Sequence, residues 1–176
     1  MAVSRAIQLA CAVGVVTLTL AACDQADDDP KAGEGREAAV YESILEWILD
    51  EEPVADTDER PGWTMYVTSR HERPVAVEVE VLVVEALDER IVVRFIDERG
   101  EAVDEGAENQ PVRENGMLVG LGAVPVEGDR VDVYIDRYLE IDDVVAWEVT
   151  VRSVGETWTI TGVPLATDVR PLPPSD

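Results

Sequence analysis

Residues 130–163 read RVDVYIDRYLEIDDVVAWEVTVRSVGETWTITGV, and their alternation decides the fold. In 130–139, Val131, Val133, Ile135 and Leu139 share one parity, while Asp132, Tyr134, Asp136 and Tyr138 share the other. That is the period-two pattern of a half-buried strand. Asp142-Asp143 then turns the chain into 144–153, with Val145, Trp147, Val149 and Val151 inward. Val154-Gly155 turns it again into 157–163, with Trp158 and Ile160 inward against Thr157, Thr159 and Thr161. Upstream lies the apolar run 117–124, joined to 130 through Glu127-Gly128-Asp129. Asn115-Gly116 before that run predicts a hairpin with Val112-Arg113, because this dipeptide suits the positive φ angles of a tight strand reversal. Four short-looped strands in succession predict an antiparallel meander with one apolar face and one polar face.

The apolar face needs a cover. In 38–50 (AAVYESILEWILD), Tyr41, Ile44, Leu45 and Ile48 fall on one helical face and Glu42, Ser43, Glu46 and Asp50 on the other. Pro53 ends this helix, and 51–60 is an acidic loop. Residues 63–68 alternate as a strand, with Trp63, Met65 and Val67 on one side. Residues 75–87 read two ways. Valines at 75, 77, 79, 81 and 83 alternate as in a strand and are β-branched. Pro74 suits a helix start, and Val75, Val79, Leu82, Val83 and Ala86 form a helical face. The two readings balance. Residues 91–96 make a short buried strand, and 97–108 a loop or short helix. The fold class is α+β: a C-terminal antiparallel meander packed by an N-terminal helix, and by a second helix if 75–87 is helical.

The N-terminus gives the address. Arg5 is followed by no charge until Cys23, and 9–20 is almost wholly apolar, as in a secretory leader. The apolar stretch is marginal for spanning a bilayer, which takes ~20 residues. Leu20-Ala21-Ala22-Cys23 resembles a bacterial lipobox, in which a branched residue and two small ones precede a cysteine. The resemblance implies that a diacylglycerol is attached to the Cys23 thiol and that signal peptidase cuts between Ala22 and Cys23. Thiolate nucleophilicity makes cysteine the suitable acceptor. Two or three acyl chains, at ~0.8 kcal/mol per buried CH₂, anchor a protein stably. Asp24 resembles an inner-membrane retention signal of double-membraned bacteria. The expected organisation is therefore a signal peptide over 1–22, a lipidated cysteine and acidic flexible linker over 23–37, one α+β domain over 38–166 and a proline-rich tail over 167–176.

The composition adds exclusions. The 176 residues carry 38 acidic and 14 basic side chains and a net charge of −24. Neutralisation of nucleic-acid phosphates and a polybasic grip on anionic lipid are both excluded. With Cys11 in the leader and Cys23 acylated, the mature domain has no disulfide, so its core must hold it. One lysine against thirteen arginines fits GC-rich coding, and the acidity fits either solubility or high-salt adaptation.

The runs VRFIDERGEAVDEG (93–106), VRENGMLVGLGAVP (112–125) and AWEVTVRSVGETWTITG (146–162) resemble segments of uncharacterised lipoproteins of high-GC bacteria. The order of helix, strands and closing hairpin also resembles the cone-shaped domains related to nuclear transport factor 2. That analogy implies a ligand pocket.

Chemistry-bearing residues are sparse. His71 is the sole histidine and sits in the polar stretch Ser69-Arg70-His71-Glu72-Arg73, which reads as a solvated loop without zinc partners. A serine triad could recruit only Ser43, Ser69, Ser153 or Ser175, none of them in a nucleophile elbow. No catalytic residue is assigned. Asp136, Glu140, Asp142 and Asp143 are weak calcium candidates; otherwise no cofactor is expected. Trp47, Trp63, Trp147 and Trp158 fall on apolar parities and read as core. Arg94 and Arg137 read as ion-paired, and Gly120-Leu121-Gly122 is a lone Gly-x-Gly on a strand. The expectation is a lipid-anchored protein on the extracytoplasmic face of the cell membrane. Its role is non-enzymatic and accessory to an unknown envelope partner, and it binds no nucleic acid. The alternatives are a ligand- or calcium-binding module and a hydrolase.

Overall fold

The first apolar stripe belongs to α1 (Pro30–Glu51) of the computed structural model, which describes residues 30–51, 63–71, 73–155, 157–161 and 165–166. Val40, Tyr41, Ile44, Leu45 and Ile48 of this helix are all buried. The helix begins eight residues before the expected Ala38, so part of the expected linker is helical. Proline at the first position costs no hydrogen bond there and presets φ. Arg36 then fixes this early turn to the body of the fold. Its guanidinium donates to the carbonyls of Pro125 and Gly128 and lies 4.9 Å from the Trp158 ring centre.

The strand after it is β1 (Thr64–Ser69). Residues 75–87 resolve as a helix, α2 (Val77–Leu87), entered from an extended Ala76 whose carbonyl accepts from the Val79 and Glu80 amides. Val75, Val79, Val83 and Leu87 are buried at four-residue spacing, and this burial overrides the β-branched preference. Glu78 and Glu80 in the first turn complement the helix dipole. The chain returns as β2 (Val92–Phe95), parallel to β1. A short helix, α3 (Arg99–Ala102), follows, held by a reciprocal capping box of Glu98 and Glu101.

The C-terminal meander forms as expected: β3 (Met117–Leu121), β4 (Arg130–Glu140), β5 (Asp143–Val154) and β6 (Thr157–Ile160), with β7 (Leu165–Ala166) also on β5. It is one part of a larger mixed sheet ordered β2-β1-β3-β4-β5-β6, in which β1 pairs in parallel with both β2 and β3. The expected Asn115-Gly116 hairpin does not form. Residues 113–115 make a single 3₁₀ turn, with Glu114 and Asn115 at φ of 56° and 49°. Val112 bridges instead to Val103, and β3 lies between β1 and β4. Contacts with β1 explain the change. Thr64 Oγ1 donates to Glu114 Oε2 (2.8 Å), and Gly116 packs so tightly that an added Cβ would meet the Thr64 carbonyl oxygen.

Both faces of the sheet are covered. On one face, α1 and α2 enclose the main core with Met65, Val67, Met117, Val119, Leu121, Val131, Val133 and Ile135. Trp47, Trp63, Trp147 and Trp158 pack against it, Trp47 and Trp147 edge to face at 5.5 Å. The other face, expected to be polar, is partly closed by residues 97–116. There Tyr66, Leu118 and Tyr138 bury against Ala102, Val103 and Val112. Tyr138 Oη donates to the Gln110 carbonyl (2.7 Å), and Arg99 stacks 4.6 Å from the Tyr138 ring centre.

Two glycines test this packing in opposite directions. Gly33→Ala, in an open part of α1, should stabilise by about 0.5–1 kcal/mol. Gly116→Ala, driven against backbone, should destabilise by roughly 1–3 kcal/mol. Urea unfolding of both variants checks this, and a neutral Gly116→Ala would contradict the described turn.

Candidate functional site

The carboxyl ends of two parallel strands, joined by a crossover helix, leave a crevice where side-chain and backbone groups converge. Here β1 ends at Ser69, β2 at Phe95, and α2 starts above them. The chain after β1 winds about the Ser69 hydroxyl. Ser69 Oγ lies 2.7 Å from the Arg73 carbonyl and 3.1 Å from the His71 carbonyl, and accepts from the His71 amide. This turn sets His71 against α2. A cavity of about 250 Å³ results, lined on its polar side by Thr68, Ser69, His71, Glu80 and Asp97. Val67, Val75, Phe95 and Ile96 are among its apolar lining. His71 is half-buried, contrary to the solvated loop expected. Its Nε2 is shielded from solvent and has no hydrogen-bond partner among the described residues. Burial, and then the neighbouring negative charge of Asp97, push the Glu80 carboxyl up from the usual range.

Arg70, next to His71, serves the opposite face. Its side chain crosses β3 above Gly120 to reach Asp136 on β4, and its guanidinium lies 5.8 Å from the Tyr134 ring centre. Arg70 Nε is 2.8 Å from Asp136 Oδ1, an ion pair by distance. The approach is off the hydrogen-bond axis, so neither Asp136 oxygen receives a hydrogen bond among the described residues. Asp136 is fully buried. Burial pushes its carboxyl up to about 6, and the Arg70 charge pulls in the other direction. Only glycine leaves room for this crossing, since a Cβ at position 120 would meet Arg70 Cδ at 2.6 Å and Cγ at 2.8 Å. The Gly-x-Gly of β3 is thus a bed for a side chain. Asp136 pairs directly across from Gly120 in the sheet, and the adjoining Asp136–Ala146 pair continues that row of small side chains.

The structure does not bring the four calcium candidates to one point. Asp136 is held by Arg70; Glu140 accepts from Asn109 Nδ2 (2.7 Å); Asp143 accepts from Arg137 Nη2 (2.6 Å); Asp142 is exposed in the β4–β5 turn. Glu140 and Asp143 do share a second cavity of about 210 Å³ with Trp63 and Asn115. Among the described residues, no group of three or more His, Cys, Asp or Glu is arranged to hold a metal ion. Arg94 pairs with Glu114 (3.1 Å), as Arg137 does with Asp143, so both arginines are ion-paired as expected. Leu20, Ala21, Ala22, Cys23 and the tail 167–176 lie outside the described residues. No described helix is long and apolar enough to cross a membrane.

A third feature is apolar. The outward side of α2 exposes Val77 (66%), Val81 (49%) and Leu82 (44%). With Glu34 and Gly35 of α1 and Glu78 of α2, they line an open groove of about 440 Å³. Comparison with protein-family models, with curated proteins and with solved structures gives no match.

The Asp136 carboxyl yields a signed prediction. Its folded pKa of about 6 lies above the unfolded value of about 3.9, so it binds protons more tightly when folded. Its contribution to stability is therefore complete below pH 4 and lost as pH rises through about 6, a cost of roughly 3 kcal/mol. Asp136→Asn removes that titration. The difference in unfolding free energy between variant and wild type should shift by this amount between pH 4 and 7.5, in favour of Asn at the higher pH. Parallel urea-melt profiles would contradict the assignment.

Proposed function

We propose that this chain is a lipoprotein, acylated on Cys23 and held on the extracytoplasmic face of a membrane, where it acts without catalysis as an accessory to an envelope protein. The address is supported by the leader and by Leu20-Ala21-Ala22-Cys23. With α1 beginning at Pro30, seven residue steps separate the anchor from the helix, a span of at most about 25 Å. The observation that carries the accessory role is the groove between α1 and α2. Exposed apolar side chains grouped in a groove mark an interaction surface, whereas scattered ones do not. Its lining begins at Glu34 and Gly35, within the first turns of α1 and so on the anchor side of the chain.

The occupant is an amphipathic helix of an envelope protein lying close to the bilayer, with an apolar stripe flanked by lysine or arginine. The apolar stripe fits Val77, Val81 and Leu82 by the helix-in-groove mode. The basic flanks answer Glu34 and Glu78 on the rim and the net charge of −24. The cavity beside His71 favours a second reading, a ligand-binding module.

A photo-reactive residue at position 81, in intact cells, tests the leading reading. The expected product is a cross-link to an apolar segment with basic flanks in one envelope protein. It should fall about tenfold with Leu82→Glu, the effect of roughly 1.4 kcal/mol of lost affinity. Cys23→Ser should abolish both acyl labelling and the cross-link. Cross-links only to phospholipid, or to a second copy of this chain, would overturn the proposed occupant. Acyl labelling that survives Cys23→Ser would overturn the anchor.

A further inference from the structure

Attraction between opposite charges, without a directed hydrogen bond, holds Arg70 to Asp136. Arg70 leaves the end of β1 with its amide donating to the Leu121 carbonyl (2.8 Å), so its backbone is fixed to β3. Its side chain lies across β3 in the space that Gly120 leaves, and reaches a carboxylate with no exposed surface. Nε stands 2.8 Å from Oδ1, yet neither Asp136 oxygen receives a hydrogen bond among the described residues. The Arg70 side chain itself is 15% exposed, so it sits at the rim of the buried site. The titratable and charged groups around Asp136 on this face are Tyr66 and Arg70 from β1, Tyr134 and Tyr138 from β4, Glu148 from β5, opposite Tyr134, and Arg99 of the covering segment, stacked on Tyr138. From β3 come only Leu118 and glycines. Arg137, the next residue, faces the other side and pairs with Asp143. Of these groups, Arg70 supplies the charge that favours ionised Asp136.

We infer that the Arg70 side chain is an acid-released gate, which lies over Gly120 while Asp136 is ionised and swings out to solvent when Asp136 takes up a proton. A guanidinium cannot shed its charge. Once Asp136 is neutral, Arg70 keeps the cost of its desolvation and loses the attraction that offset it. A directed hydrogen bond could survive protonation of its acceptor, but none is present here. Movement to water is the response left to the side chain. The backbone need not follow, because the Arg70 amide stays bonded to Leu121. Release uncovers the Gly120 bed and the Asp136 carboxyl beneath it, and places a cation on the sheet surface. In the other direction, an ionised Asp136 without Arg70 is an uncompensated buried charge, so ionisation draws the gate shut. Burial pushes the Asp136 carboxyl up to about 6, which puts the change in mild acid. The inference is independent of the anchor and of the groove on the outer side of α2.

Nuclear magnetic resonance of the full-length chain, labelled with carbon-13 and nitrogen-15, reads both groups. The Asp136 Cγ and Arg70 Nε–Hε resonances, assigned by their absence in Asp136→Asn and Arg70→Gln, are followed between pH 4 and 7.5. The expected result is one shared midpoint near 6, with the Arg70 shift moving on acidification to the values of exposed arginines. Asp136→Asn should hold Arg70 at the low-pH shift throughout. The wild-type titration needs no variant, so the test stands should Asp136→Asn fail to fold. His71 is the sole histidine and adjoins Arg70, so His71→Gln separates its titration from that of Asp136. The Arg70 transition should persist in that variant. Overturning results are an Asp136 resonance that does not titrate over this range, an Arg70 shift that stays constant while Asp136 titrates, an Arg70 transition that survives Asp136→Asn, or one that disappears with His71→Gln.

Discussion

The burial of one helical stripe closes this fold. Val40, Tyr41, Ile44, Leu45 and Ile48 of α1 leave water together, and α1 packs against α2, β5 and β6 at once. Each large apolar side chain buried in this way contributes roughly 1.5–3 kcal/mol before entropy is charged against it. No disulfide shares the task among the described residues, because both cysteines, Cys11 and Cys23, lie outside them. Tyr41 adds direction to the packing: its buried hydroxyl donates to the Gly122 carbonyl (3.0 Å), tying α1 to the end of β3. The helix thus joins the two unlike parts of the sheet, the parallel unit beside α2 and the antiparallel meander.

Local alternation made the meander legible through the buried parity of Val131 and Val133 in β4 and of Val149 and Val151 in β5, and through its short turns, whereas β3 is buried on both parities. Tyr41, Ile44, Leu45 and Ile48 were legible for the corresponding helical reason. The parallel partnership of β1 with β2 and β3 was not, because it depends on a crossover and on contacts across fifty residues of chain. Asn115-Gly116 shows how such contacts outweigh a local signal. The dipeptide has the chemistry of a hairpin turn, but Thr64 supplies a hydrogen bond to Glu114 and leaves no space beside Gly116. The positive φ angles that Asn-Gly was expected to adopt appear instead at Glu114 and Asn115.

The candidate site was less legible than the fold. Ser69-Arg70-His71-Glu72-Arg73 looks like a solvated charged loop because its partners lie elsewhere in the sequence. Arg70 is accounted for by Gly120 and Asp136, from two other strands, and His71 lines one cavity with Glu80, from a helix, and Asp97, from beyond a strand end. Two signals were present. Asp136 stands in the middle of a strand, where an uncompensated carboxylate is costly. Gly120 stands in an otherwise apolar strand, where glycine often marks the close approach of another group. Pairing the two required knowing that β3 and β4 align them, which register alone supplies.

The segment that defied assignment is also the one with the most surface activity. Period-two valines at 75, 77, 79, 81 and 83 resemble a strand because the helix carries apolar residues on two sides. Val75, Val79 and Val83 face the core, a sufficient stripe for a helix of this length. Val77, Val81 and Leu82 add nothing to that core, and their exposure carries a cost in solubility that the surrounding acids offset. A helix selected only for packing would place polar side chains there. The conflict between local propensity and observed structure is therefore itself informative. Sequence-level rules are expected to fail where a chain meets a demand other than folding. In α2 that failure coincides with the groove on one side of the helix, while Glu80 on the same helix lines the charged cavity.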